Sequence, residues 1–104
     1  FWPFDLLNAL TKDKDAEVRE NAAWTLGELA SMRVGVQSSV GYLTELLLDR
    51  DAMVRGTSSW ALEQFAHHLH MSSPLAVERL EKLTCDRSPY VSKSAASALE
   101  IMKN

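Results

Sequence analysis

The sequence predicts an all-α fold: an α-α superhelix, or right-handed solenoid, of three helical hairpins with six helices in all. One segment occurs three times, in copies at residues 15–30, 51–66 and 88–103. Val18, Val54 and Val91 occupy the same place in the three copies, so the period is 36 and then 37 residues. Such a period is typical of a helical solenoid, in which a unit cannot bury its apolar face alone and stacks on a neighbour. With only 4 Gly and 3 Pro, the chain has few of the turn residues that an all-β fold needs.

Composition indicates one globular domain. Apolar residues make up 46% and charged residues 24% of the 104 residues, which is ordinary for a folded chain. We expect a single domain over residues 1–104, with repeats at about 3–30, 38–70 and 73–103. The chain begins at Phe1 with no initiator methionine, which suggests a fragment of a longer solenoid or a processed product.

Charge and cysteine content argue against several classes of protein. The net charge is −3 at pH 7 and there is no block of basic residues, which argues against a nucleic-acid binder that relies on phosphate neutralisation. No apolar run approaches the ~18 residues that span a bilayer, so no membrane association is expected. Cys85 is the only cysteine and forms no internal disulfide, so we predict a reducing, cytoplasmic location.

The first helices of the hairpins are predicted from apolar residues at helical spacing, at about 5–11, 38–48 and 74–84. Ser38 and Ser39 are expected to cap the second of these helices. Ser73, which a proline follows, is expected to cap the third.

The second helices are the three copies of the repeated segment, and one helical wheel fits all of them. Asp15 is expected to cap the first copy. On each wheel an apolar stripe faces inward, small side chains flank it, and a polar and aromatic stripe lies opposite. That outward stripe comprises Glu20, Asn21, Trp24 and Glu28, then Gly56, Thr57, Trp60 and Gln64, then Lys93, Ser94, Ser97 and Ile101.

The repeated segments resemble a known family. Asp13 with Val18-Arg19, and Asp49 with Val54-Arg55, each precede a run rich in small residues, AAWTL or SSWAL. This arrangement resembles HEAT repeats, in particular the short two-helix form that also occurs in phycobilin-lyase-type proteins. The resemblance covers nearly the whole chain and implies the solenoid fold. It implies less about function, since the family is mostly scaffolds and adaptors, with a few enzymes and DNA-repair proteins.

The resemblance also implies a ladder of hydrogen bonds between neighbouring units, from the Arg of a second helix to the Asp that ends a first helix. The residues that match this pattern are Asp13, Arg19, Asp49, Arg55 and Asp86. Ser92 stands where a third Arg is expected, so the ladder is predicted to end there, as in a terminal repeat with relaxed constraints.

In HEAT-like solenoids the second helices line the concave side, which implies that their outward residues contact partners. The expected partner-binding residues are Glu20, Asn21, Trp24, Glu28, Thr57, Trp60, Gln64, His67, Lys93, Ser94, Ser97 and Ile101. Trp24 and Trp60 lie one repeat apart in equivalent places, so stacking is expected to set them side by side. Two interpretations stay open: the rings form an exposed binding hot spot, or they lie flat across neighbouring stems and cover the edge of the core.

The spacing of Trp24 from Glu28 and of Trp60 from Gln64 also resembles the Trp-x-x-x-Asn array with which importin-alpha-type armadillo proteins hold an extended basic peptide. Here the residue four positions on is never Asn, and the period leaves little room for a third helix. As an analogy of mechanism, the resemblance implies that a Trp beside Glu20 and Glu28 holds Lys or Arg by cation–π contact and charge.

His67, His68 and His70 are the candidates for a metal site. No Cys or carboxylate stands at ligand spacing beside them, and interaction with the C-terminal dipole of their helix explains their position, so neither metal nor cofactor is expected. The chain has no phosphate-binding loop, no H-E-x-x-H and no nucleophile elbow. We therefore expect no enzymatic activity.

These features predict a non-catalytic scaffold or adaptor that binds a partner protein or peptide on the concave face of the second helices. One alternative is a nucleic-acid-binding module like the HEAT-like DNA glycosylases, which needs a positive trough that Glu20 and Glu28 oppose. Another is an accessory protein of the chromophore-lyase type, which needs a ligand pocket. Phe1, Trp2 and Phe4 at one end, and Ile101 and Met102 at the other, are apolar where a capped solenoid is polar, so further repeats or end-to-end self-association are expected.

Overall fold

Six α-helices build the part of the chain that the computed structural model describes, residues 3–104. They are α1 (Pro3–Leu10), α2 (Ala16–Ser31), α3 (Ser38–Leu46), α4 (Ala52–Leu69), α5 (Pro74–Leu83) and α6 (Pro89–Lys103). There is no strand among these residues, so the prediction of an all-α chain with six helices is confirmed. Phe1 and Trp2, the apolar start noted above, lie outside the described residues. No helix between residues 3 and 104 is both long enough and apolar enough to cross a bilayer.

The hairpins stack in register as a helical solenoid with two layers. α2, α4 and α6 form an inner layer, in which neighbouring helices contact each other extensively. α1, α3 and α5 form an outer layer, whose helices contact each other much less. The second helices are longer than the first helices, and they provide most of the contact between neighbouring hairpins.

The core lies between the two layers. Leu26, Leu43, Leu62, Phe65 and Leu80 are fully buried, and they come from helices of both layers. Their spacing follows the inward stripe of each helix, because side chains three or four residues apart share one face. The inner layer therefore turns its other face, the outward stripe, away from this core.

The prediction that Asp15 caps α2 is confirmed, and Asp51 caps α4 in the same way. Asp15 accepts a hydrogen bond from the Glu17 amide, and Asp51 accepts from the amides of Met53 and Val54.

The prediction that Ser38 and Ser39 cap α3 is wrong. Ser38 is the first residue of α3, which has no side-chain cap and ends at Leu46, earlier than expected. Ser39 is fully buried, and its hydroxyl donates to Asn8 Oδ1 of α1 at 2.8 Å. A buried hydroxyl needs a partner, and the buried amide of Asn8 supplies one that lies far away in sequence.

Candidate protein-binding surface

The ladder residues lie together at one end of the second helices. Arg19 donates from Nε and Nη2 to the two carboxylate oxygens of Asp49, at 2.8 and 3.1 Å. Arg55 donates in the same way to Asp86, at 3.1 and 3.2 Å. The Nη1 atom of each arginine donates to a backbone carbonyl before its own helix, Asp13 O at 2.9 Å and Asp49 O at 2.8 Å. The inter-hairpin contacts are therefore bidentate ion pairs, the stronger and more directional form.

Each ladder carboxylate also closes the turn in front of its own second helix. Asp49 Oδ2 accepts from the Asp51 amide at 2.9 Å, and Asp86 Oδ2 accepts from the Ser88 amide at 2.9 Å. Asp13 Oδ2 accepts from the Asp15 amide at 3.0 Å, so its carboxylate has the same orientation.

The ionisation of the ladder follows from these contacts. Burial of the Asp49 carboxyl opposes its ionisation, but the hydrogen bonds from Arg19 and the Asp51 amide outweigh it, so the pKa of Asp49 lies below its ordinary value. The pKa of Asp86 is also lowered, first by the Ser88 amide and then by Arg55. Both ion pairs are therefore fully charged near neutral pH.

Most of the outward stripe is accessible on the inner layer. Trp24 is 52% exposed, and the exposed members also include Asn21, His67, Lys93 and Ser97. The half-buried members are Glu20, Glu28, Trp60, Gln64, Ser94 and Ile101. Every second helix thus contributes accessible side chains to this stripe.

Thr57 is a correction to the predicted set, because its side chain is only 3% exposed. Its Oγ1 donates to Glu20 Oε2 at 2.9 Å and lies 2.8 Å from the Tyr90 hydroxyl, which makes Tyr90 the donor in the second bond. Tyr90 reaches Thr57 because its ring lies over Gly56, which is also buried and which has no side chain to block the approach. Thr57 therefore links α2, α4 and α6 and presents no free surface.

The two tryptophans differ in their surroundings. The ring of Trp60 lies over Gly27 of α2, where a Cβ atom would come within 2.9 Å of Trp60 Cε3 and 3.0 Å of Ala61 Cα. Trp60 accordingly packs against the core, which agrees with the interpretation that the tryptophan rings cover the edge of the core. Trp24 occupies the equivalent place one repeat earlier and is half exposed.

Glu63 is a surface residue that the helical wheel did not single out. Its Oε1 accepts a hydrogen bond from the Ser97 hydroxyl at 2.8 Å, which places it between α4 and α6 on the inner layer. Together with Glu20 and Glu28 it gives this surface three carboxylates. We call the surface formed by Glu20, Trp24, Glu28, Trp60 and Glu63 the acidic inner surface.

The histidines form no recognisable metal centre. The rings of His67 and His68 meet edge to face with their centroids 4.5 Å apart, and His70 ends α4 in the left-handed conformation. Among residues 3–104 no three His, Cys, Asp or Glu side chains are grouped so that they could hold a metal ion.

Comparison with known proteins identifies the family. A family model described as HEAT repeats matches residues 5–100. A search of curated proteins found no match. Among solved structures the chain is similar to two engineered proteins from the Northeast Structural Genomics Consortium, each at 25% identity and over 97% of this chain. The TM-scores are 0.74 and 0.71, and the chain spans 45% and 27% of the length of these proteins. The match over most of its length shows that the chain belongs to the HEAT-repeat family.

Proposed function

We propose that this chain is a non-catalytic scaffold whose acidic inner surface binds a basic segment of a partner protein. Membership of the HEAT-repeat family supports the scaffold role. The observation that carries the proposal is that three partly exposed carboxylates, of Glu20, Glu28 and Glu63, lie on the same two helices, α2 and α4, as Trp24 and Trp60. The lone, exposed Cys85 supports a reducing, cytoplasmic location.

Two of the carboxylates are held in position by the next helix. Glu20 Oε2 accepts from Thr57, and Glu63 Oε1 accepts from Ser97. Within residues 3–104, Glu20 Oε1 and Glu63 Oε2 have no hydrogen-bond partner. Because these carboxylates are already ordered, the two glutamate side chains lose little further conformational entropy when a cationic group binds them.

The remaining charges favour a basic partner. Arg19 and Arg55 are neutralised by the ladder, and Lys93 is the only lysine or arginine in the outward stripe. The exposed face of Trp24 adds an attraction for Lys or Arg, since a cation over an indole ring is stabilised by the ring quadrupole. The same charges repel phosphates, so nucleic acid is disfavoured as the partner.

A titration with peptides of defined charge tests the proposal. A fluorescently labelled peptide of alternating lysine and serine should bind, whereas the peptide with glutamate in place of lysine should not. Glu20→Gln combined with Glu63→Gln should weaken binding by about twofold to thirtyfold, because each exposed ion pair contributes roughly 0.2–1 kcal/mol. Gln keeps an oxygen acceptor for the Thr57 and Ser97 hydroxyls.

Glu78→Gln, on the exposed side of α5 in the outer layer, is the matched control and should leave the affinity unchanged. Equal binding of the lysine and glutamate peptides would refute the proposal. Binding of duplex DNA as tight as that of the lysine peptide, at the same salt concentration, would refute it too.

A further inference from the structure

We infer that a notch at Gly41 of α3 binds an aromatic side chain of a partner protein that carries an acidic residue next to it. By outer notch we mean the gap in the exposed face of α3 at Gly41, between the side chains of Ser38 and Glu45. It lies in the outer layer and attracts a partner of the opposite charge to the one expected on the acidic inner surface. The inference therefore goes beyond the proposed function.

The outer notch exists because a glycine interrupts a row of larger side chains. Ser38, Gly41 and Glu45 are exposed and share one face of α3, since residues three or four apart lie on the same side of a helix. Nothing lies within 4 Å of the place where a Cβ atom of Gly41 would stand. The gap joins a hollow of about 200 Å³ beside Tyr42 to one of about 410 Å³ beside Leu75. Ser38, Gly41 and Glu45 line both hollows.

The space at Gly41 is not used by the described part of the chain, residues 3–104. Each of the other three glycines admits an aromatic ring of this chain, and the pairs are Gly27 with Trp60, Gly35 with Phe65 and Gly56 with Tyr90. Gly41 lies inside a helix, where glycine is less favourable than alanine, yet no ring approaches it. By the same chemistry the space fits an aromatic ring from outside the chain.

The walls of the outer notch suit such a ring. Leu75 of α5 is 43% exposed on one side, and the half-buried ring of Tyr42 lies on the other. A ring placed on the Gly41 backbone would cover both side chains. Removal of this apolar surface from water supplies the main favourable free energy of binding.

The charge at the outer notch is positive. Lys12 and Glu45 are the charged residues that line the two hollows. Glu45 is paired with Arg79 at 3.0 Å. Lys12 Nζ lies 5.4 Å from the centroid of the Tyr42 ring and forms no ion pair within residues 3–104. A carboxylate next to the bound ring would therefore be attracted by Lys12, and a basic residue there would be repelled.

The open shape of the outer notch favours a peptide segment as the occupant. Small ligands bind in cavities that enclose most of their surface, whereas Ser38, Gly41 and Glu45 are all exposed. A segment of a partner protein adds contacts of its backbone to those of its aromatic side chain. The exposed Ser38 hydroxyl offers such a backbone a hydrogen bond.

Amide NMR of the isotope-labelled chain tests whether a ring reaches Gly41. The probe is a capped peptide in which a tryptophan precedes a glutamate and all other residues are serine. The chain has 4 Gly, and Gly41→Ala assigns the amide signal of Gly41. The titration should shift this signal until it saturates, and the signals of Gly27, Gly35 and Gly56 should stay in place as internal references.

Variants separate binding at the outer notch from stability of the fold. Gly41→Ala should weaken binding of the fluorescently labelled peptide by about tenfold or more, because a methyl group fills the space of the ring. The same variant should raise the urea midpoint, so the lost affinity does not reflect a lost structure. Lys12→Gln should weaken binding by up to about fivefold. Lys82→Gln, an exposed lysine at the other end of α5, is the matched control and should leave the affinity unchanged.

Three results would overturn the inference. The first is a Gly41 signal that does not move at millimolar peptide, and the second is equal affinity in Gly41→Ala and the original chain. The third concerns the ligand: peptides with leucine for the tryptophan, or lysine for the glutamate, should bind more weakly, and so should phenylacetate. If any of these bound as tightly as the probe, the occupant would not be an acidic, aromatic protein segment.

Discussion

Arg19 and Asp49 join the first two hairpins through two parallel hydrogen bonds of 2.8 and 3.1 Å, with each side chain only 10% exposed. Asp49→Ala should lower the free energy of unfolding by about 3 kcal/mol, because it leaves a buried guanidinium group without its counter-charge. Urea denaturation followed by circular dichroism measures the loss. Glu81→Ala is the control: its ion pair with Lys103 is about half exposed, so the loss should stay below about 1 kcal/mol. Equal losses would contradict this account of the ladder.

Acid should weaken the ladder. The carboxyl groups of Asp49 and Asp86 have pKa values below their ordinary value of 3.8, so the unfolded chain binds protons more readily than the folded one. Their contribution to stability is complete above about pH 4 and is lost as the pH falls through the lower, folded pKa values. Urea midpoints measured from neutral pH downwards should fall less steeply in Asp49→Asn with Asp86→Asn than in the original chain. A parallel decline would show that other groups control acid unfolding.

Ser58→Ala should stabilise the protein by about 1 kcal/mol. Ser58 is fully buried, and its hydroxyl is the one buried side-chain polar atom in residues 3–104 without a hydrogen-bond partner, which carries a desolvation cost. The equivalent residues Ala22 and Ala95 show that a methyl group fits this position. Thermal and urea unfolding both measure the gain. Ser39→Ala, which breaks the buried bond to Asn8, should change stability in the opposite direction.

Two glycines in helix interiors should respond to alanine with opposite signs. At Gly27 a methyl group would collide with the Trp60 ring and the Ala61 backbone, so Gly27→Ala should destabilise the fold by about 1–3 kcal/mol. At Gly41 no atom lies within 4 Å of the added Cβ, so Gly41→Ala should stabilise it by about 0.5–1 kcal/mol through helix propensity alone. Urea denaturation of both variants decides the matter, and changes of the same sign would contradict the described contact.

Replacing the two tryptophans by alanine should change the free energy of unfolding by different amounts, which urea denaturation measures. Trp60→Ala should lower the free energy of unfolding by about 2–3 kcal/mol, since its ring packs on the core and on Gly27. Trp24→Ala should change it by less than about 0.5 kcal/mol, because its ring is 52% exposed. If Trp24→Ala proved as destabilising as Trp60→Ala, the exposed position of the Trp24 ring would be contradicted.

The repeat period was enough to predict the helices, because it depends on equivalent positions within one chain. The period also placed Arg19 and Arg55 at equivalent positions, and likewise Asp49 and Asp86. In the structure Arg19 pairs with Asp49, and Arg55 pairs with Asp86. The prediction that Ser39 caps α3 was wrong because a capping rule considers only neighbouring residues. The Ser39 hydroxyl instead donates a hydrogen bond to Asn8, which lies far away in sequence.

The burial of Thr57 was missed for a related reason. A helical wheel assigns faces to an isolated helix, whereas Thr57 is covered by Tyr90 from another helix. That approach is possible only because Gly56 lacks a side chain. A signal was present in the sequence: Gly27 and Gly56 lie inside strongly predicted helices, where glycine is unfavourable unless something packs closely against it.

The Asp49 carboxylate has two hydrogen-bonding roles, and together they affect how the chain unfolds. One carboxylate both closes the turn ahead of α4 and holds the guanidinium group of the hairpin before it. The turn cannot open without releasing its neighbour, so local fraying and separation of hairpins become a single event. Although each hairpin contacts only its neighbours, melting should be cooperative along the whole array.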